Sequence, residues 1–112
     1  MKLRERDIQK TVCDWLTLRG FFWYRQNVGG AKFGAQWVKF GLKGLPDVVV
    51  IVSGVYVGLE FKQPGKKLSE AQIQCGMRIK IAGGEYEQVQ SLEDAQRVIA
   101  DVLARLREVT PG

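Results

Sequence analysis

From Leu3 to Arg19 apolar residues return every third or fourth position, at Ile8, Val12, Trp15 and Leu16, with Gly20 behind them as a stop. That spacing predicts an amphipathic helix. The segment Phe21–Gln26 (FFWYRQ) is aromatic and reads as a strand, bounded by turn-prone residues 27–30. Two nearly continuous apolar runs, Asp47–Val52 and Val55–Lys62, flank Ser53-Gly54. Such runs suit a central strand pair covered on both faces, joined here by a two-residue turn. After a turn at 63–67, Ser69 opens a helix to about Ala82, closed by Gly83-Gly84. Glu85–Gln90 is a short strand. Ser91 caps a final helix with Leu92, Ala95, Val98, Ile99, Val102, Leu103 and Leu106 on one face. The order α-β-β-β-α-β-α predicts one α/β domain over 1–112, core about 3–106, with a central mixed β-sheet flanked by helices.

Between the second and third of these elements the alternation stops. Val28–Gly44 holds five glycines, the lysines Lys32, Lys39 and Lys43, the aromatics Phe33, Trp37 and Phe40, and no acid. Residues 27–45 read as a glycine-rich basic loop with at most one short strand near Gln36–Phe40. Long loops inside compact domains are usually functional or mobile.

The hairpin carries the chemistry. A Ser53-Gly54 turn sets Val52 opposite Val55 and, counting outward, Asp47 opposite Glu60. Cross-strand partners stand about 5 Å apart on one face. Lys62, two residues beyond Glu60, shares that face, and Phe61 takes the other. Two carboxylates at that range repel unless a positive charge lies between them. A hard divalent ion such as Mg²⁺ suits the position, since it takes carboxylate oxygens and keeps waters for a substrate phosphate. Gly58, opposite Val49, reads as open space for an approaching ligand. Asp47 and Glu60 also fit solvated strand ends paired with Lys62.

Composition narrows the choices. A 112-residue chain with 46% hydrophobic and 26% charged residues buries a core of its own. No apolar stretch reaches membrane-span length, and MKLRERDIQK lacks the apolar core of a signal peptide. Cys13 and Cys75 have no metal-binding spacing and read as reduced core thiols of a cytoplasmic protein. Histidine is absent, which removes Ser-His triads and His-containing zinc sites. Acid–base work then falls to carboxylates, lysine, tyrosine or a metal-bound water. The net charge of +5 fits a polyanionic partner.

Gly44-Leu45-Pro46-Asp47, a hairpin, and then Glu60-Phe61-Lys62 resemble the signature of the PD-(D/E)XK nucleases, whose core is restriction-endonuclease-like. The chain is similar in particular to the virus-type replication-repair nuclease (VRR-NUC) family. That family also has an N-terminal helical Glu, matched by Glu5, and an early Gln in the next helix, matched by Gln72. The likeness runs from about Leu3 to Ala95. It implies metal-dependent hydrolysis of DNA phosphodiesters, with Glu5, Asp47, Glu60, Lys62 and Gln72 as catalytic-site residues. Mg²⁺, with Mn²⁺ able to substitute, would be held by Asp47, Glu60 and the main-chain carbonyl of Phe61, with Glu5 holding a second ion or its waters. Arg25, Lys32, Lys39, Lys43, Lys66 and Lys67 would take DNA phosphates.

Bland roles stay open for several of these. Glu5 also suits the positive end of a helix, Ser69-x-x-Gln72 is a capping box, and Phe33, Trp37 and Phe40 fit either base stacking or packing on the sheet. Stand-alone members of the family look phage-like and resemble homodimeric Holliday-junction resolvases. The expected partner is therefore branched DNA, in the host cytoplasm if the chain is phage-encoded, with no membrane and no small-molecule cofactor. A nuclease for flaps or plain duplex, and a non-catalytic DNA-binding module, are the alternatives.

Overall fold

A computed structural model of the chain describes residues 4–26, 30–33, 36–39 and 42–109, with residues 30–33, 36–39 and 109 described by backbone alone. Helix α1 (Glu5–Leu18) leads into β1 (Phe22–Arg25), and β2 (Gly30–Phe33) and β3 (Gln36–Lys39) follow. The central hairpin is β4 (Val48–Val52) and β5 (Val55–Phe61). Then come α2 (Glu70–Ile81), β6 (Glu85–Val89) and α3 (Leu92–Val109). The main sheet has four strands in the order β1-β4-β5-β6, antiparallel except for the parallel pair β5–β6. Parallel neighbours need a crossover, and α2 supplies it.

The β4–β5 register runs from Val48 opposite Leu59 to Val52 opposite Val55, as the turn dictates. Ser53 and Gly54 have φ of 49° and 87°, so both central turn residues are left-handed. That is the type I′ geometry whose twist matches the strands. Since the register follows from the turn, every side chain of the hairpin is assigned to a face.

One face is the core. Val48, Val50, Val52, Val57, Leu59 and Phe61 pack with Val89 against Ile8, Val12 and Leu16 of α1 and Ala95, Ile99 and Val102 of α3. The helical residues recur at three- and four-residue spacing, which makes one continuous stripe on each helix. The opposite face is covered in part by α2, whose Gly76 admits the ring of Tyr86: a Cβ there would stand 3.0 Å from Tyr86 Cδ1. Helix α2 starts on a working capping box, with Gln72 N–H donating to Ser69 Oγ at 3.2 Å and Ser69 N–H donating to Gln72 Oε1 at 2.8 Å.

The glycine-rich stretch differs from its sequence reading. Within it β2 and β3 pair antiparallel, Gly30 opposite Lys39 through Phe33 opposite Gln36, as a ribbon separate from the main sheet. The second strand falls where one was expected, near Gln36–Phe40, and β2, four residues opening on Gly30, is the addition. Both cysteines are free and buried. Among the described residues no helix is long and apolar enough to cross a membrane.

Candidate active site

Asp47 lies one position before β4, and Glu60 one before the end of β5. Extending the register by one step sets them opposite each other. The backbone fixes how. The Phe61 N–H donates to Asp47 Oδ2 at 2.9 Å, so Phe61 turns its main-chain groups toward the β4 side. The Gln26 N–H donates to the Asp47 carbonyl at 2.9 Å, so Asp47 turns its own toward β1. Asp47 and Glu60 are therefore a non-hydrogen-bonded antiparallel pair, the kind whose Cα atoms approach to about 4.5 Å with side chains close together.

Glu60 is the one charged residue type found in the interior among the described residues, at 5% exposure. Its Oε2 accepts from Gln72 Nε2 at 2.9 Å. Its Oε1 is buried with no hydrogen-bond partner among the described residues. Burial chiefly, then the facing Asp47 carboxylate, push the carboxyl up to about 8; Lys62 pulls it down, and Glu5 adds a small upward push. With no cation present, Glu60 holds a proton near neutral pH, and that proton can be shared with Asp47.

Gln72 thus makes the capping contact and a contact to Glu60 at the same time. Its amide oxygen closes the capping box while its amide nitrogen reaches Glu60, so the two ends of one group serve helix and site together. Asp47, Glu60, Gln72 and Ser69 line an open cleft of about 400 Å³ with Pro46 and Gln26. A groove of about 470 Å³ between β6 and α3 is larger, but its Glu85 is already paired with Arg105 at 2.8 Å. Charge there is spent on holding α3 to the sheet edge.

Strand alternation puts Lys62 on the face of Glu60, and its N–H donates to the Val89 carbonyl at 3.0 Å, continuing the β5–β6 ladder. Glu5 opens α1 on the other side of the sheet, exposed, and at a range where its charge still acts on Glu60. Lys43, Lys66 and Lys67 are exposed on the turns that lead into Asp47 and out of β5. Gln88 Nε2 donates to the Lys66 carbonyl at 2.7 Å, which ties the second turn to β6. Arg25 is not brought to the cleft. It faces the α1 side, where its guanidinium partly offsets the burial that pushes the Cys13 thiol up. Lys32 and Lys39 lie at positions of β2 and β3, and their side chains fall outside the described residues.

The reading of Gly58 changes. Gly58 is not open space for a ligand: a Cβ there would stand 2.7 Å from Pro46 Cγ, so the proline before Asp47 fills the gap. The packing is structural, and it sets the height of Asp47 on the sheet. Gly44, at φ 82°, similarly lies against the Ala71 carbonyl, and its own carbonyl accepts from the Tyr86 hydroxyl at 2.9 Å. The approach to Asp47 is thereby anchored at Gly44 and again at Pro46. Gln26 was not singled out by sequence, because nothing in FFWYRQ marks it; only the β1–β4 pairing brings it beside Asp47.

No model of a known protein family matches the chain, and no curated protein matches it.

Proposed function

We propose that the chain is a metal-dependent DNA endonuclease of the VRR-NUC type, cutting branched DNA as a homodimer. One observation carries this reading: a buried carboxylate, Glu60, with an unpartnered Oε1, faces a second carboxylate, Asp47, at the wall of an open cleft. A buried carboxylate oxygen without a partner is costly once ionised, and a divalent ion between it and a second carboxylate removes the cost. The donor set fits that use. It offers hard oxygens from Asp47 and Glu60, and the Phe61 carbonyl lies on the same side of the strand as the N–H that reaches Asp47. Among the described residues no group of three or more His, Cys, Asp or Glu side chains is arranged around one point. The remaining ligand positions would go to water and phosphate oxygens, as Mg²⁺ prefers.

When bound, Mg²⁺ would polarise the scissile phosphate and lower the pKa of a bound water. The protein's own part is positional. Asp47 and Glu60 hold the ion, and Gln72 fixes the rotation of the Glu60 carboxylate. Lys62, on the same face, orients the attacking water or steadies charge on the phosphate oxygens. Glu5 approaches from the first turn of α1 as an outer ligand. Lys43, Lys66 and Lys67 take flanking phosphates. The β2–β3 ribbon supports DNA capture by its place in the chain: it springs from between Gln26 and Asp47, which are hydrogen-bonded to each other. Its register puts positions 30, 32, 37 and 39 on one face, and two of these are lysines.

Cleavage of a labelled four-way junction with Mg²⁺, beside linear duplex of the same sequence, tests the proposal with wild type and Lys62→Ala. The expected result is paired, symmetric cuts in the junction, lost without metal and in the variant. Equal cutting of duplex and junction would leave a nuclease without the branched substrate. DNA binding with no metal-dependent cutting would leave only a binding module.

A further inference from the structure

We infer that Gln26 is a substrate-contacting residue: its side-chain amide is a neutral donor for a non-bridging oxygen of the DNA phosphate seated in the Asp47–Glu60 cleft. This rests on the nuclease reading and adds a residue that no part of the motif contains. Three observations lead to it. Gln26 continues β1 by one position, and its N–H bond to the Asp47 carbonyl sets it beside Asp47 across the β1–β4 ladder. Alternation along β1 puts Gln26 with Phe22 and Tyr24 on the α2 face, where Asp47 and Glu60 stand, whereas Trp23 and Arg25 take the α1 face. Gln26 is also among the residues that line the cleft.

Its chemistry complements the rest of the wall. Asp47 and Glu60 are acceptors, and the Gln72 amide is committed at both ends, to Ser69 and to Glu60. The Gln26 amide makes no hydrogen bond to another described residue, although it is half-buried. Of the two side-chain amides lining the cleft it is the one with both N–H donors uncommitted to a described residue, since one of the two on Gln72 already serves Glu60. An amide donor is neutral, so it adds no charge that would pair with Asp47 or Glu60 and draw them from a cation. It also donates at every pH at which the protein is folded.

Fluorescence anisotropy of a labelled four-way junction, with Ca²⁺ in place of Mg²⁺, reads the contact without cleavage; a parallel cleavage assay with Mg²⁺ reads the parent proposal. The variants are Gln26→Met, which keeps length and volume but has no donor, and Gln26→Glu, which replaces the donor with a third carboxylate. Loss of one hydrogen bond to a charged phosphate should weaken binding by about tenfold in Gln26→Met. Gln26→Glu should bind more weakly still, and melting temperatures should stay at the wild-type value. Affinity unchanged in both variants would overturn the assignment. So would a weakened Gln26→Met whose melting temperature also falls, because that marks a packing role. If wild type binds the junction but cuts nothing, the nuclease reading fails and the affinities of the variants still decide the role of Gln26. If wild type does not bind DNA at all, both fall.

Discussion

On the α1–α3 face of the sheet, Val48, Val50, Val57 and Leu59 are closed in by aliphatic side chains; on the α2 face the alternate positions of the same strands are Val49, Ile51 and Tyr56 and, toward the cleft, Asp47, Gly58 and Glu60. The first face is held by volume, and many residues share the work. The second is held by a few close fits: Pro46 against Gly58, Gly44 against the Ala71 carbonyl, Tyr86 against Gly76. Stability is therefore spread out on one side, while on the other single atoms set where the carboxylates sit. Damage to the first face should lower stability and leave the chemistry of folded molecules intact. Damage to the second should reach both.

The largest expected effect belongs to the core face. Leu16→Ala removes a fully buried side chain. It should cost about 3 kcal/mol and lower the melting temperature by roughly 10–20 °C. Cleavage per folded molecule, measured well below that temperature, should match wild type. Gly58→Ala comes next. Its methyl would meet Pro46 Cγ at 2.7 Å, so about 1–3 kcal/mol should be lost to overpacking. Here cleavage should fall as well, since Pro46 can only move by carrying Asp47 with it. A Gly58→Ala protein with reduced stability and full activity would contradict the account of that face.

Glu60→Gln should separate the two quantities in the opposite sense. The carboxyl is raised from 4.5 to about 8. Between those values the folded state binds a proton that the unfolded state lacks, so its contribution is full below about pH 4.5 and is lost as pH rises through about 8. Wild-type stability should drop across this window, measured as melting temperature from pH 5 to pH 9, with a flatter profile for Glu60→Gln. Above pH 8 the variant should be the more stable protein by about 1–2 kcal/mol, yet inactive. Mg²⁺ should raise the melting temperature of wild type there and leave the variant unmoved. The smallest effect is expected at the far end of the hairpin, away from the cleft. Ser53 has a φ of 49° in a type I′ turn, and Ser53→Asn should add about 0.5 kcal/mol with no change in cleavage.

The central hairpin was legible in the sequence because a two-residue turn leaves no freedom in register, and register alone puts Asp47 opposite Glu60. The helices were legible for a similar reason: α1 and α3 carry an apolar stripe, and α2 is marked by the Ser69 cap and the Gly83-Gly84 stop. What could not be read depends on contacts between distant segments. Gly58 looks the same in sequence whether it makes room for a ligand or for Pro46. Gln26 acquires its position from β4, more than twenty residues along the chain. Of the β2–β3 ribbon, the strand near Gln36–Phe40 was legible, but β2 is four residues long and opens on a glycine, too short a run to show alternation. Gln72 showed both its roles in sequence, but as rivals. Only the three-dimensional arrangement makes them compatible, by using opposite ends of one amide.

The bond between Gln26 and Asp47 has a consequence for how such a protein can vary. A segment whose two roots are already joined adds little to the entropic cost of folding when its length changes, since closure cost grows only with the logarithm of loop length. The chain between Gln26 and Asp47, which carries the β2–β3 ribbon, is thus joined at its roots beside the cleft. Gly44 and Pro46, clamped by Tyr86 and Gly58, isolate the cleft from whatever the ribbon carries. Exchange of that segment for a shorter or longer one is the evolutionary step this architecture tolerates most easily, a change of reach without a change of hearth.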